Sequence, residues 1–361
     1  MKRLWRKRLM LKNLRKKIDE LDAKITVLLN KRAQIALEIA GAKKKGRLSI
    51  YAPDREQEVL RRLSRLTRGP LTPKALAAIY REIMSASLAL EKDLKIAYLG
   101  PQASFTHLAA MKKFGSQVGY LPCDSIATVF SEVERGGVDY GVVPIENSVE
   151  GAVTHTLDML VDSDLRIYAQ ILLDVSHNLL GKCAKNKIKR IYSNPQVFGQ
   201  CRLWLQRNIP GVELVEVSST TRAARLASGE RSSAAIASSL AAKVYKLKVL
   251  AAGIEDSPHN ITRFLVISNA TASPSGKDKT SVLFSIKDRV GALHDMLLPF
   301  AKHRLNLTKI ESRPSKKKAW DYYFFVDLEG HIQDARVRRA LEELEKKCRF
   351  LKVLGSYPVG D

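Results

Sequence analysis

Two short stretches carry residue types that could do chemistry. In NITRFLVI, residues 260–267, a hydroxyl and a guanidinium, Thr262 and Arg263, stand beside Asn260 at the mouth of an apolar run. They fit a strand start with a solvated arginine, and they fit equally a pair facing a ligand. The second stretch is an apolar seam, Leu14, Ile18, Leu21, Ile25, Leu28, Ile35 and Ile39, into which Arg32 intrudes. An unpaired guanidinium in such a seam is costly, so something anionic should meet it. Lys43 follows about 20° around the helix and about 16 Å along it, close enough for two long side chains to converge on one small ligand. Arg15 lies about 25 Å from Arg32 and about 100° around, so it can join them only from a second, antiparallel chain. A coiled-coil-like helix with ordinary surface cations is the plainer alternative.

Polar side chains also stand where apolar runs end and a helix or loop opens: Ser104, Asn147, Ser148, Ser219 and Thr220. Free amides and the positive end of a helix dipole favour carboxylates at such mouths. Taken singly, each residue reads as a cap or turn. Together they suggest one shared anionic ligand.

The elements that would hold these residues fall into three segments. Residues 14–43 read as one helix, KKKGRLSIYAP (43–53) breaks it, and further helices follow at about 54–66 and 74–92 around RGPLTP. At Lys95 the pattern changes to apolar runs ending in polar loops, each followed by a helical stretch, which is α/β order. SNATASPSGKDK reads as a linker. The remainder reads strand 280–286, helix 290–302, strand 305–312, strand 319–328, helix 333–347 and strand 349–354, the βαββαβ order of a ferredoxin-like module. The expected division is 1–93 with a basic arm at 1–9, then 95–268, a linker at 269–279, and 280–361.

A chain of 361 residues has room for two or three cores, and 45% hydrophobic content is ordinary for a globular protein. No apolar run approaches the roughly 20 residues that span a bilayer, so no membrane partner is expected. MKRLWRKRLM is basic with no apolar stretch behind it, unlike a secretory signal. Cys123, Cys183, Cys201 and Cys348 are scattered, and neither CxxC nor HExxH occurs. A cytoplasmic protein without a disulfide framework, and with no metal, is expected. The formal charge of +24 is spread along the chain, apart from nine Lys or Arg and no acid in the first 17 residues. Without a zinc-finger or RNP signature, nucleic acid is not expected, and a positive field suits an anionic small molecule.

LRKKIDELDAKITVLLNKRAQIALEIAGAKK followed by PDREQEVL resembles the all-helical chorismate mutases over about residues 10–93. The resemblance implies a helix-exchanged dimer, with Arg15 from one chain and Arg32, Lys43, Arg55 and Glu56 from the other. On the third helix it assigns Ser87 and Glu91. Ala52 stands where some members have Asp, removing a substrate-hydroxyl contact, and Glu91 where others have Gln. The implied reaction is the pericyclic rearrangement of chorismate to prephenate, which needs no nucleophile. Arginines would hold two carboxylates in the reactive conformer and Lys43 would stabilise charge on the ether oxygen. Glu91 must be protonated to help.

GPQASFTHLAA, VPIENSVEGAVTHTLDML, SNPQVFGQC, SSTTRAARLA and IEDSPHNITRFLVI, in that order, resemble the prephenate dehydratases across about residues 95–268. The implied fold is two α/β lobes around a cleft, similar to periplasmic binding proteins. The implied reaction removes carbon dioxide and the ring hydroxyl from prephenate to give phenylpyruvate. Aromatisation drives it, so the enzyme mainly helps hydroxide leave. Thr262 is the implied hydroxyl donor, Arg263 the charge for a carboxylate or the loop's orienting group, and Asn147 and Gln200 the supporting amides. Ser104, Ser148, Ser193, Ser219 and Thr220 are the further implied substrate contacts. Asn194 replaces the family's usual His and is left out.

IKDRVGALHDML and KIESRPS resemble the ACT modules of phenylalanine-controlled dehydratases. Gly291, Ala292, Leu293, Glu311, Ser312 and Arg313 are then implied to hold phenylalanine across a dimer interface, with Gly where the ligand nears backbone. Val290 replaces a Pro found in many members. Together the resemblances imply both activities on one chain, inhibition by L-phenylalanine, no cofactor, and a homodimer or tetramer. A chain ending near Lys277 is expected to keep its chemistry and lose inhibition. The rival reading is an inactive relative that only senses metabolites, against which intact Thr262, Arg32 and Lys43 speak.

Overall fold

The computed structural model describes residues 2–46, 49–257, 259–286, 289–315 and 322–359, with side chains from residue 8 onward. The backbone of the expected basic arm continues as the start of α1 from Lys2, while its side chains before residue 8 lie outside the described residues. Three helices come first: α1 (Lys2–Lys45), α2 (Pro53–Leu66) and α3 (Pro73–Glu91). Pro53 and Pro73 open their helices where a missing N–H costs no bond, and Thr72 caps α3 by accepting from the Ala75 amide. α3 packs on both α1 and α2. α1, 44 residues and about 66 Å long, runs far past them. On that overhang Leu14, Ile18, Leu21, Ile25 and Leu28 are 44 to 64% exposed. Among the described residues no helix is long and apolar enough to cross a membrane.

The next segment makes two lobes. The first holds β1 (Lys95–Leu99), α4 (Phe105–Phe114), β2 (Gly119–Cys123), α5 (Ile126–Glu134), β3 (Tyr140–Asn147), β4 (Gly151–Ala152), α6 (Thr154–Asp162) and β5 (Arg166–Asp174). The second holds β6 (Asn178–Gly181), β7 (Arg190–Ser193), α7 (Pro195–Gln200), α8 (Arg202–Asn208), β8 (Glu213–Glu216), α9 (Thr220–Gly229), β9 (Ser233–Ala237), α10 (Ser239–Val244) and β10 (Lys248–Ala251). The chain then returns to the first lobe as β11 (Ile261–Ser268), antiparallel between β3 and β5. Sheet orders are β2-β1-β3-β11-β5 and β10-β6-β9-β7-β8. The lobes are joined by two crossings tied to each other, Val175 N donating to Asn260 O at 2.7 Å and Ile254 N to His177 O at 2.9 Å. This is the expected two-lobed arrangement.

The last segment is β12 (Asp278–Ser285), α11 (Ala292–Lys302), β13 (Leu307–Pro314), β14 (Tyr322–Glu329), α12 (Ala335–Glu345) and β15 (Phe350–Pro358). Its antiparallel order, β13-β14-β12-β15, is ferredoxin-like, as expected. Residues 319–321 of the expected third strand lie outside the described residues. This sheet is not a tethered module. Leu283, Phe325, Leu354 and Tyr357 share one core with Val143 and Leu265 of the first lobe. A Cβ at Gly355 would sit 2.2 Å from the Ile167 carbonyl oxygen, so only glycine permits that approach. Lys352 closes the end of α6 by donating to the carbonyls of Leu160, Val161 and Ser163.

Candidate functional sites

A cavity of about 650 Å3 opens between the three helices and α4. Arg32, Lys43, Arg55, Glu56, Ser87 and Glu91 line it, and Arg15 lies exposed far along α1. Ser87 spends its proton on the Ile83 carbonyl at 3.0 Å, so its oxygen accepts from Arg32 Nη1 at 2.7 Å and aims the guanidinium. Lys43 donates to the Ile50 carbonyl and stands 3.6 Å from Glu91 Oε2. Arg55 turns outward to Glu58, at 2.5 Å, and forms part of the rim. Glu56 Oε2 accepts from the Tyr51 hydroxyl at 2.5 Å and pairs with Lys113 at 3.0 Å. Tyr51 and Lys113 escaped sequence reasoning, since one sits in a linker pattern and the other in the next segment.

Glu91 has a side chain only 7% exposed. Burial outweighs the opposing Lys43 and Arg32 charges and raises its carboxyl above the ordinary carboxylate range. It therefore keeps its proton to higher pH than an exposed glutamate. If the neutral acid donates to charge developing in this cavity, turnover falls as pH rises through that pKa, because the ionised form repels the charge. Glu91→Gln supplies a permanent donor, so its pH profile should be flat and its rate above wild type in alkali. A flat wild-type profile that the variant overlays rules out this contact.

The second site lies where β11 meets the lobe crossings. Asn147 Oδ1 accepts from the amides of Val149 and Glu150, at 2.9 and 3.1 Å, which orients the side-chain amide. Its Nδ2 then donates to Asn260 Oδ1 at 2.7 Å and to Thr262 Oγ1 at 2.8 Å. With an acceptor position of Thr262 filled, its own proton remains to be donated. Asn260 Nδ2 donates to Gln200 Oε1 at 3.1 Å, and His177 Nε2 meets the same oxygen at 2.8 Å, which requires the proton on Nε2. Burial lowers the His177 pKa, against the opposing pull of Gln200, Glu255 and Glu150, and so favours the neutral ring. Gln200 Nε2 completes the chain at Glu150, 3.0 Å away. An adjoining cavity of about 460 Å3 is lined by Glu150, Gln200, Asp256 and Asn260 among others. Asn260, inside the IEDSPHNITRFLVI motif, and His177, outside every motif, are not among the expected site residues.

Other expected contacts are spent on the backbone. Ser104 caps α4, accepting from His107 N at 3.2 Å and donating to Leu99 O at 3.0 Å, and Ser219 caps α9 toward Arg222 N. Thr220 is the first residue of that helix. Ser148 bridges His259 O and Ile261 N. Ser193 as a ligand contact is corrected: it is fully buried and donates to Ile236 O at 3.0 Å, joining strands in the second lobe.

Arg263 requires a second correction. Adjacent strand residues face opposite sides of a sheet, so it points away from Thr262. Its guanidinium meets Asp327 at 2.5 Å and the Tyr357 hydroxyl at 2.7 Å, both in the last segment. It therefore anchors the C-terminal sheet rather than charging the cleft. Ending the chain near Lys277 would strip these partners and expose to water the apolar core that the C-terminal sheet shares with the first lobe, a loss of burial that destabilises the lobe. Contrary to the expectation above, such a chain should lose dehydratase turnover and melt below the full protein, as thermal unfolding with a prephenate assay would show.

In the C-terminal sheet Gly291 takes a left-handed φ of 77° just before α11. Gly291, Ala292 and Leu293, with Tyr322 and Phe324, line a cavity of about 300 Å3. Glu311, Ser312 and Arg313 lie on β13 and are not among its lining residues. Arg313 instead pairs with Asp158 of the first lobe at 3.0 Å. Within one chain the two halves of the effector motif stay apart.

Comparison with known proteins follows this division. Family models match for chorismate mutase type II at residues 14–92, prephenate dehydratase at 96–272 and the ACT domain at 280–346. A bifunctional chorismate mutase/prephenate dehydratase from Aquifex aeolicus is 50% identical over 353 residues, covering 96% of this chain and 98% of that protein. A prephenate dehydratase from Arthrobacter aurescens, solved in complex with L-Phe, superimposes with a TM-score of 0.69 at 36% identity, over 74% of this chain and 90% of that one. GqqA, described as a novel type of quorum quenching acylase, superimposes with a TM-score of 0.68 at 29% identity, over 73% of this chain and all of that one. With near-complete coverage at 50% identity and all three units in order, the chain belongs to the bifunctional chorismate mutase/prephenate dehydratase family.

Proposed function

We propose that this chain rearranges chorismate to prephenate in the helical cavity and converts prephenate to phenylpyruvate at the Thr262 cleft, with L-phenylalanine inhibiting through the C-terminal sheet. In the first site Arg32, steadied by Ser87, holds a substrate carboxylate, and Lys43, joined by Glu91 when that carboxyl carries its proton, stabilises the ether oxygen as its bond breaks. In the second, Thr262 donates its proton toward the departing ring hydroxyl while carbon dioxide leaves and the ring becomes aromatic. The observation that carries the reading is the Thr262 hydroxyl, with Asn147 donating to its oxygen. An acylase reading is less favoured: the Thr262 oxygen accepts from an amide, and the nearby imidazole is engaged with Gln200, so among the described residues no base is bonded to the Thr262 hydroxyl.

The exposed apolar seam of α1 and the remote Arg15 support a dimer in which antiparallel α1 helices pair and exchange Arg15. Purified protein given chorismate should release phenylpyruvate, less of it when phenylalanine is added. Failure to turn over either chorismate or prephenate would leave the metabolite-sensing alternative.

A further inference from the structure

The helical cavity is not built from the helical segment alone. α4 belongs to the α/β segment, yet its last residues, Lys113 and Phe114, line the cavity. Lys113 Nζ lies 3.0 Å from Glu56 Oε2, and their side chains are only 15 and 10% exposed. The Tyr51 hydroxyl donates to the same oxygen at 2.5 Å, and the Lys113 ammonium lies 5.8 Å from the centre of the Tyr51 ring. Tyr51 is itself held by the dehydratase lobe. Its ring packs on Phe114, Tyr140 and Tyr168, with centroids 5.0 to 6.0 Å away, and its carbonyl accepts from the Tyr168 hydroxyl at 2.6 Å. Gly115, just past α4, lies so near α3 that a Cβ there would be 2.4 Å from Ser85 Cβ. The two units are thus locked together beside Glu56.

A carboxylate this buried needs both charge compensation and a fixed direction. The Tyr51 hydroxyl donates to Oε2 and the Lys113 ammonium pairs with the same oxygen, which leaves Oε1 to accept from a ligand. Ala52, one turn before Glu56, offers no second carboxylate. We propose that Lys113 is a positioning residue of the mutase reaction, holding Glu56 so that its free oxygen accepts from a hydroxyl of the bound substrate. The mutase site is then completed by the dehydratase lobe.

This rests on reading the cavity as a mutase site, and the tests separate the two. A wild-type protein that leaves chorismate untouched overturns that reading, whereas an indifferent Lys113 in an active protein overturns only the inference. In the full chain, Lys113→Met should lower mutase kcat/KM about tenfold, chiefly through KM, in keeping with loss of a largely buried ion pair that directs the carboxylate. Dehydratase turnover of added prephenate should stay within about twofold, because Lys113 is outside that site. Lys113→Arg, which keeps the charge, should recover most of the loss. Because Lys113 acts through Glu56, Lys113→Met should add little to Glu56→Gln. Unchanged mutase kinetics in Lys113→Met, or parallel losses of both activities with a lower thermal midpoint, would overturn the proposal. Should the single Met variant not fold, Glu56→Gln is compared with Glu56→Gln/Lys113→Met, where no buried charge is stranded. Equal kcat/KM supports the role, and a further several-fold fall refutes it.

Discussion

Replacing Thr262 by alanine is expected to stop phenylpyruvate formation while chorismate is still consumed and prephenate accumulates. The hydroxyl is the group best placed to assist a leaving hydroxide, since Asn147 donates to its oxygen and frees its proton. Removing one such preorganised donor typically lowers kcat by about 10²–10³-fold. The side chain is almost buried and makes its hydrogen bond within the site, so the change leaves β11 and its pairings intact. Thr262→Ser keeps the hydroxyl and should retain much of the rate. The measurement is phenylpyruvate from added prephenate, with chorismate loss followed in parallel. Equal loss of both activities in a folded Thr262→Ala protein would defeat the assignment, as would dehydratase turnover at the wild-type rate.

Arg32→Ala and Arg15→Ala should each reduce mutase turnover by about 10²-fold or more, the effect of losing a charged clamp on a dianion. The two differ in where the loss falls. Arg32 lies in the cavity against Ser87, whereas Arg15 is exposed on the overhanging part of α1. If α1 helices exchange, a mixed dimer of the two variants contains one site with both cations and one with neither. Isolated mixed dimers should then regain about half the wild-type mutase rate. Verified mixed dimers that remain inactive would refute the shared site.

Much of the architecture follows from local patterns. The α1 seam, the capped strand mouths and the βαββαβ order are periodicities of two and near four residues, visible without any long-range contact. The convergence of Arg32 and Lys43 follows likewise, because helix geometry ties sequence spacing to direction. Strand alternation also placed Thr262 and Arg263 on opposite faces, a signal obscured by treating the motif as one unit. Other features needed the folded chain. Asp327 and Tyr357 claim Arg263, Lys113 enters the helical cavity, and His177 reaches Gln200 across a lobe crossing. Each joins residues from separate elements, and the energy that joins them is burial and charge pairing between surfaces whose local sequence reads as complete. Periodicity says which face of an element is apolar or carries a charge; only docking decides what that face meets.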